Sequence, residues 1–172
     1  MTRTALVMGL AACALSAGCV AVVDTKVVHD GYVRYLNPDT LHHNPAFSQA
    51  VAVHGSNTTV YIGGQDAVDA SGNIVGKGDI AAQAEQIARN MEAALAAAGA
   101  KPDDVVKWTI YIVDGQNPGP AHAVFQKRWG ERANPPTITM VYVSALAHPD
   151  FLMEMDAVAV IPGCDDADLE SD

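Results

Sequence analysis

The segment from Phe151 to Val160 constrains the fold of this chain most. Its sequence, Phe-Leu-Met-Glu-Met-Asp-Ala-Val-Ala-Val, places apolar side chains on both faces of an extended chain. Glu154 and Asp156 interrupt one of those faces, because residues two apart point the same way on a strand. A solvated antiparallel strand would have one cleanly polar face, which this segment does not have. The pattern therefore predicts a strand over residues 152–160 with both faces covered.

Periodicity and turn residues predict the other elements. Alternating apolar residues indicate five more strands, at residues 32–37, 50–54, 58–63, 105–113 and 137–143. His54-Gly55-Ser56-Asn57 predicts a hairpin turn between the second and third strands.

Two helices are predicted between these strands. The longer runs from Asp79, an N-cap residue, to Gly99, with an apolar stripe that would pack on a sheet. The shorter covers residues 120–129 and directs Val124, Phe125 and Trp129 inward. Strands and helices in this order predict an α+β domain with the helices on one face of the sheet.

The charge of the chain argues against a nucleic-acid partner. The 172 residues have a formal net charge of −10, which opposes a phosphate backbone. Several of the acidic residues form a solvated C-terminal tail, namely Asp165, Asp166, Asp168, Glu170 and Asp172.

The N-terminus resembles a bacterial export leader. Arg3 precedes an almost uncharged run over residues 5–18, which suits a signal peptide and is shorter than the ~20 residues of a membrane span. Leu15-Ser16-Ala17-Gly18-Cys19 resembles a lipobox, with Cys13 as a competing position, and predicts a lipoprotein of the cell envelope acylated at Cys19. The alternative is a misassigned start and a cytoplasmic protein. With or without the leader, Cys164 is predicted to be a spare thiol in the tail.

The predicted boundaries are a leader at residues 1–19, a linker at 20–32, one domain at 33–161 and the acidic tail at 162–172. A domain of this length has room for one hydrophobic core.

Several motifs in this domain resemble those of one family. Pro45-Ala46-Phe47-Ser48-Gln49-Ala50 is similar to a Pro-Tyr-Ser-Gln-Ala opening, and residues 60–65 to a Val-Tyr-apolar-Ser-Gly-Gln strand. Residues 135–139 stand where a Pro-Ala-Arg-[ST] strand begins, and residues 152–159 match an apolar-Glu-apolar-Glu-Ala strand. These motifs resemble the YjgF/RidA family, small trimeric deaminases of enamines and imines.

The resemblance implies a fold, an assembly and a site. The fold is a single α+β domain, chorismate-mutase-like, with a mixed six-stranded sheet and two helices packed on one face. The assembly is a homotrimer with small-molecule pockets in the clefts between subunits. Glu154 corresponds to the glutamate that orients or activates the attacking water. The alternative is that Glu154 is an exposed strand carboxylate beside Asp156.

Ile138 replaces the arginine with which relatives grip an anionic substrate. A branched alkyl side chain offers none of the charge-assisted hydrogen bonds of a guanidinium. An imine derived from an amino acid, such as 2-iminopropionate, should therefore be a poor substrate. Arg34, Lys107, Arg128 and Arg132 are the basic residues that could compensate, although none occupies the family's position.

Other expected pocket residues also differ from the family. Phe47 replaces a tyrosine, Gly63 a serine and His122 an asparagine, while Gly64 and Gln65 are kept. The Gly63-Gly64 pair either lets a ligand approach the backbone or forms a bulge. His122 either reaches the pocket or lies at the surface.

The histidine spacing argues against a metal site, and we predict neither a metal nor a cofactor. His42 and His43 point apart on an extended chain, and no further ligand follows at helical spacing. The glycines of residues 72–78 fit neither phosphate-binding fingerprint.

Two functions from different classes remain open. The first is a deaminase-type hydrolase of neutral or apolar imines and enamines, which Glu154 favours. The second is a non-catalytic trimer that binds a small ligand, which Ile138 favours.

Overall fold

Two sheets and two α-helices make up the described part of the chain. The computed structural model describes residues 31–163. The strands are β1 (Tyr32–Leu36), β2 (Ala50–His54), β3 (Asn57–Gln65), β4 (Val105–Val113), β5 (Thr137–Val143) and β6 (Met153–Pro162). The helices are α1 (Ile80–Ala97) and α2 (Gly119–Trp129), with one turn of 3-10 helix at Pro102–Asp104. All six predicted strands and both predicted helices are confirmed.

The strands divide into a two-stranded sheet, β1-β2, and a four-stranded sheet in the order β3-β6-β4-β5. In the larger sheet β4 and β5 are parallel and the other pairs are antiparallel, so it is mixed as predicted. The six strands do not form the single six-stranded sheet that was expected, because β1 and β2 pair with each other in a separate sheet. The predicted β2-β3 hairpin is wrong. Gly55, at φ 71°, turns the chain out of the small sheet, and the Ser56 carbonyl accepts from the Gly163 amide at 2.9 Å. Strand β3 then pairs with β6.

Helix α1 begins and ends at the predicted residues. The Asp79 side chain accepts from the amides of Ala81 at 3.0 Å and Ala82 at 3.1 Å, which satisfies two free donors of the first turn. At the other end Gly99 has φ 74°, and the Ala100 amide donates back to Leu95 at 2.9 Å. Glycine suits this left-handed position because it has no Cβ to clash.

The helices cover one face of the four-stranded sheet. Met153, Met155, Ala157 and Ala159 alternate along β6 and are buried in the core with α1. From β4, Trp108 stacks on Trp129 of α2 with ring centroids 4.9 Å apart. Val124, Phe125 and Trp129 pack against this core, as predicted.

The other face of this sheet is open in a single chain. Glu154, Asp156 and Val158 of β6 are half-buried there, and Tyr61 of β3 is 80% exposed. The prediction that both faces are covered therefore holds for one face within one chain. The homotrimer, which would cover the second face, stays a prediction.

The edge strand β5 is apolar and exposed. Its exposed large residues are Ile138, Met140, Val141 and Tyr142. In parallel register Ile138 pairs with Trp108 and Met140 with Ile110, so these two side chains belong to the helix-covered face.

Within residues 31–163, neither helix is long and apolar enough to cross a bilayer. The leader, the lipidation predicted at Cys19, and residues 164–172 of the tail with Cys164 lie outside the described residues.

Candidate functional site

Glu154 lies beside a bulge in the neighbouring strand. On β6 it pairs with Tyr111 of β4, and on its other side runs β3. Ile62 pairs with Ala157 but Gln65 pairs with Met155, so β3 has one extra residue at Gly63-Gly64. The glycine pair is thus a β-bulge, one of the two predicted alternatives.

Gly64 is required for the position of the Glu154 side chain. A Cβ atom built on Gly64 would overlap Glu154 Oε1 and lie 2.7 Å from Cδ. A Cβ on Gly63 would meet nothing within 4 Å. The carboxylate of Glu154 therefore rests against the Gly64 backbone, while the space beside the exposed Gly63 is open.

Gln65, the next residue, bends back on the same bulge. Its side-chain Nε2 donates to the carbonyls of Gly63 at 3.0 Å and Gly64 at 3.3 Å. These bonds orient the bulge carbonyls.

The structure adds Asp66, which sequence reasoning missed. Its Oδ1 atom is buried without a hydrogen-bond partner. Burial, followed by the negative charge of Glu154, raises the pKa of Asp66 from 3.8 to about 6. The sequence signal that could have identified Asp66 was its position directly after the Gly63-Gly64-Gln65 motif.

Helix α1 fixes the backbone on which Asp66 stands. Asn90 Nδ2 donates to the backbone carbonyls of Asp66 and Val68, both at 2.9 Å. Gln86 Nε2 in turn donates to Asn90 Oδ1 at 2.8 Å. Amide side chains that span two carbonyls leave the segment little freedom to move. The backbone at Asp66 is therefore held in place beside the bulge.

Next along β6, Asp156 belongs to a separate contact. It accepts a hydrogen bond from the Tyr111 hydroxyl at 3.1 Å, which raises the pKa of Tyr111. Asp156 and Glu154 share a face of the strand, and the Tyr111 hydroxyl bonds to Asp156.

A cavity of about 410 Å³ lies on the opposite, helix-covered side of the sheet, between α2 and β5. It holds two of the predicted site residues, Ile138 and His122. Its wall is mainly aromatic and aliphatic, with Trp108, Ile110, Phe125, Trp129, Pro136 and Met155. The rings of Trp108, Trp129 and Phe125 are stacked on one another and form an apolar aromatic stack in this wall.

The predicted site residues therefore fall into two groups within one chain. Glu154, Gly63, Gly64 and Gln65 surround the bulge, and Ile138 and His122 line the cavity. Phe47 is half-buried and belongs to neither group, although its neighbours Pro45 and Ala46 line the cavity.

The segment bearing Phe47 is tied to the start of β5. The buried Ser48 donates from its hydroxyl to the Pro135 carbonyl at 2.7 Å and from its amide to Pro136 at 3.0 Å.

One of the candidate cations, Arg132, lies in the wall of the cavity that holds Ile138. Arg132 contributes to the wall, but its two terminal nitrogens are buried without a hydrogen-bond partner, and burial lowers its pKa. Its Nε lies 4.0 Å from Asp103, at the 3-10 turn. The guanidinium is thus enclosed in the protein.

The other candidate cations are also occupied or remote. Arg128 binds Glu92 at 2.6 Å and Glu85 at 3.0 Å between the helices. Lys107 alternates with Trp108 and so faces the other side of the sheet, and Arg34 is exposed on β1. Among the described residues, the wall around Ile138 is therefore mainly aromatic and aliphatic, with Arg132 as the candidate cation that it contains.

No group of three or more His, Cys, Asp or Glu residues within residues 31–163 is arranged to hold a metal ion. Around residues 69–78, Asp69 accepts from the amides of Ser71 and Asn73, both at 2.9 Å. This ordinary loop uses its own carboxylate to satisfy its amides.

Comparison with known proteins decides the family. A family model described as Endoribonuclease L-PSP matches residues 39–161. The chain belongs to the YjgF/RidA family. The sequence motifs around Phe47, Gly64 and Glu154 therefore predicted the family and the fold correctly.

Individual relatives agree with this assignment. A RutC family protein of Pyrococcus abyssi is 34% identical over 113 residues, which cover 66% of this chain and 84% of the relative. A human 2-iminobutanoate/2-iminopropanoate deaminase is 32% identical over 114 residues, covering 66% of this chain and 79% of the relative. The crystal structure of a Rid-family protein from Yersinia pestis superposes with a TM-score of 0.64 at 34% identity, covering 75% and 98% of the two chains.

Proposed function

We propose that this RidA-family protein hydrolyses carbon-nitrogen double bonds of neutral, apolar imines or enamines, with Glu154 activating the attacking water. The observation that carries the proposal is the placement of the Glu154 carboxylate on the side-chain-free backbone of Gly64. A carboxylate held in this way has an oxygen fixed beside the free space at Gly63, where water and substrate can meet. Human and rat relatives named as 2-iminobutanoate/2-iminopropanoate deaminases support this reaction class.

The selectivity for uncharged substrates rests on Ile138. Its cavity has a mainly aromatic and aliphatic wall. On this proposal the guanidinium of Arg132, which lies in the same wall and is largely buried, does not bind a substrate carboxylate. Hydrogen bonds to charged groups contribute about 1.5 to 3 kcal/mol each, so the loss of one costs about ten- to a hundredfold in affinity. A substrate carboxylate would have to leave water without that compensation.

The two groups of site residues lie on opposite faces of the sheet, which favours a site completed by association. In the homotrimer that we propose, the bulge of one subunit and the cavity of another would meet at a cleft. The exposed apolar strand β5 offers the surface for this contact, since large exposed apolar patches mark interaction sites. Export and a lipid anchor at Cys19 remain part of the proposal and concern only where the trimer acts.

A second candidate function is a trimer that binds an apolar ligand without turning it over. The aromatic cavity and Ile138 favour this function, because they form a binding surface that does not include Glu154. Glu154, on the other side of the sheet, would then be a strand carboxylate.

The test is ammonia release, above the spontaneous rate, from freshly generated imines with and without a carboxylate. Wild type should turn over the neutral imines, and Glu154→Gln should lose roughly 10²- to 10⁴-fold, the usual contribution of general acid-base catalysis. Asp156→Asn is the matched control, because it removes a carboxylate from the same face of β6. Equal activity in wild type and Glu154→Gln, or ligand binding without turnover, would support the second function.

A further inference from the structure

The cavity between α2 and β5 has a wall built around three aromatic rings. Trp108 and Trp129 stack with their ring centroids 4.9 Å apart and their planes within 4° of parallel. Phe125 adds a third ring, 5.1 Å from Trp129 and at 16° to its plane. All three residues line the cavity. A ligand that enters the cavity therefore meets an aromatic stack.

A carboxylate from helix α1 fixes the orientation of this stack. Trp129 stacks on both of the other rings, and its Nε1 donates to Glu92 Oε1 at 3.0 Å. The same carboxylate accepts hydrogen bonds from Arg128 Nε at 3.1 Å and from a terminal nitrogen of Arg128 at 2.6 Å. Because the wall is already ordered, a ligand that binds to it loses little free energy in ordering side chains.

The strands supply the rest of the cavity surface. Trp108 pairs with Ile138 of β5, Ile110 pairs with Met155 of β6, and all four residues line the cavity. Ile138 offers an aliphatic contact and no charge. A thioether such as that of Met155 makes favourable contacts with aromatic rings. This surface suits an uncharged ring.

The size of the cavity and the chemistry of its wall both favour an aromatic ring over a saturated one. A cavity of about 150 Å³ already holds benzene, so the 410 Å³ found between α2 and β5 has room for a phenyl ring and the group attached to it. Stacked aromatic rings attract each other beyond the effect of the area that they bury. Arg132, in the same wall, adds a cation that attracts the negative face of an aromatic ring.

We propose that this cavity takes a neutral aryl group, so that the substrates are imines or enamines that carry an aromatic ring. This inference rests on the proposed function, in which the cavity of one subunit meets the bulge of another. The ring lies against the stack of Trp108, Trp129 and Phe125, and the carbon-nitrogen bond faces Glu154. Hydrolysis converts one such imine and one water into one aryl ketone or aldehyde and one ammonia. A stable aryl ketone is therefore a probe of the cavity.

The experiment measures the binding of three compounds of similar size, namely acetophenone, cyclohexyl methyl ketone and benzoate. Trp108 and Trp129 are the two tryptophans of the chain, so both indole N-H signals in a nitrogen-15 NMR spectrum report on the cavity wall. Acetophenone should shift both signals and bind roughly two- to tenfold more tightly than the cyclohexyl ketone, which lacks the aromatic contact. Benzoate should bind more weakly than acetophenone, because its charge has to leave water.

A pair of matched variants tests the role of the stack. Phe125→Leu removes one ring and keeps an apolar side chain, so the preference for acetophenone over the cyclohexyl ketone should decrease. Phe151→Leu is the control, because Phe151 is buried beside His148 and is not among the residues that line the cavity. It should keep the wild-type preference. Thermal unfolding checks that both variants fold, and the wild-type comparison of the two ketones decides the question if Phe125→Leu does not.

Three results would overturn the inference: equal Kd values for the two ketones in wild type, no change in either indole signal, or tighter binding of benzoate than of acetophenone. An unchanged preference in folded Phe125→Leu would overturn the role of the stack. Aryl-selective binding without turnover of any imine would refute the proposed function and leave the aryl site standing. Equal kcat/KM for aryl and cyclohexyl imines, each relative to its spontaneous hydrolysis, would overturn the aryl selectivity and leave the proposed function standing.

Discussion

Gly64→Ala should separate the folding role of the bulge from its role in placing Glu154. The added Cβ would overlap Oε1, and Cδ at 2.7 Å would have to retreat to at least the 3.4 Å of an ordinary contact. The atoms in the way belong to the end of a flexible side chain, so the fold should survive. The carboxylate, however, must leave its place, and a misplacement of about 1 Å can cost 10²-fold in rate.

We therefore expect kcat/KM on a neutral imine to fall about 10²-fold, which is about 2.7 kcal/mol of transition-state stabilisation. Thermal unfolding should show a loss of stability of at most about 1 kcal/mol. The control is the same substitution in Glu154→Gln, where no carboxylate is left to misplace, so Gly64→Ala should cost little further rate there. Wild-type activity in folded Gly64→Ala, or the same loss in both backgrounds, would refute the argument that the absence of a side chain at Gly64 positions Glu154.

Three further predictions concern stability and selectivity. The pKa of Asp66 rises from 3.8 to about 6 on folding, so its contribution to stability is complete below pH 3.8 and lost as the pH rises through about 6. The full rise in pKa corresponds to about 3 kcal/mol, and solvent screening reduces this value. The free energy of unfolding in urea should therefore be about 1 kcal/mol higher for Asp66→Asn than for wild type at pH 8, and no higher at pH 4. Gln83→Leu should lower the free energy of unfolding in urea by about 2 to 4 kcal/mol with an unchanged m value. The reason is that the fully buried Gln83 amide donates to the Asp150 carbonyl at 2.7 Å and accepts from the Leu152 amide at 2.8 Å. Ile138→Arg should raise kcat/KM on 2-iminopropanoate about tenfold or more, and a folded variant without any gain would show that Phe47 and His122 limit this substrate as well.

The elements were predictable because each had a local signal. Asp79 and Gly99 mark the two ends of α1 by chemistry that acts within a few residues, and alternation identified the strands. The pairing of β3 was not local. A turn at Gly55 looks the same in sequence whether β3 returns along β2 or moves on to pair with β6, and only the distant residues of β6 decide it.

The site was predictable in its residues and not in its arrangement. Motifs pointed to Glu154, Gly64 and Ile138, but sequence order does not show that the sheet separates Ile138 from the bulge. Asp66 was missed because it has no motif of its own. Its importance comes from a buried oxygen and a neighbouring charge, which exist only after β3 and β6 have paired.

The measurement closest to the central claim is the ratio of kcat/KM for two imines that differ only in a carboxylate, taken with the wild-type protein. An apolar cavity at Ile138 and a Glu154 that activates water predict that the neutral compound reacts at least about tenfold faster. Faster reaction of the carboxylated compound would contradict the account.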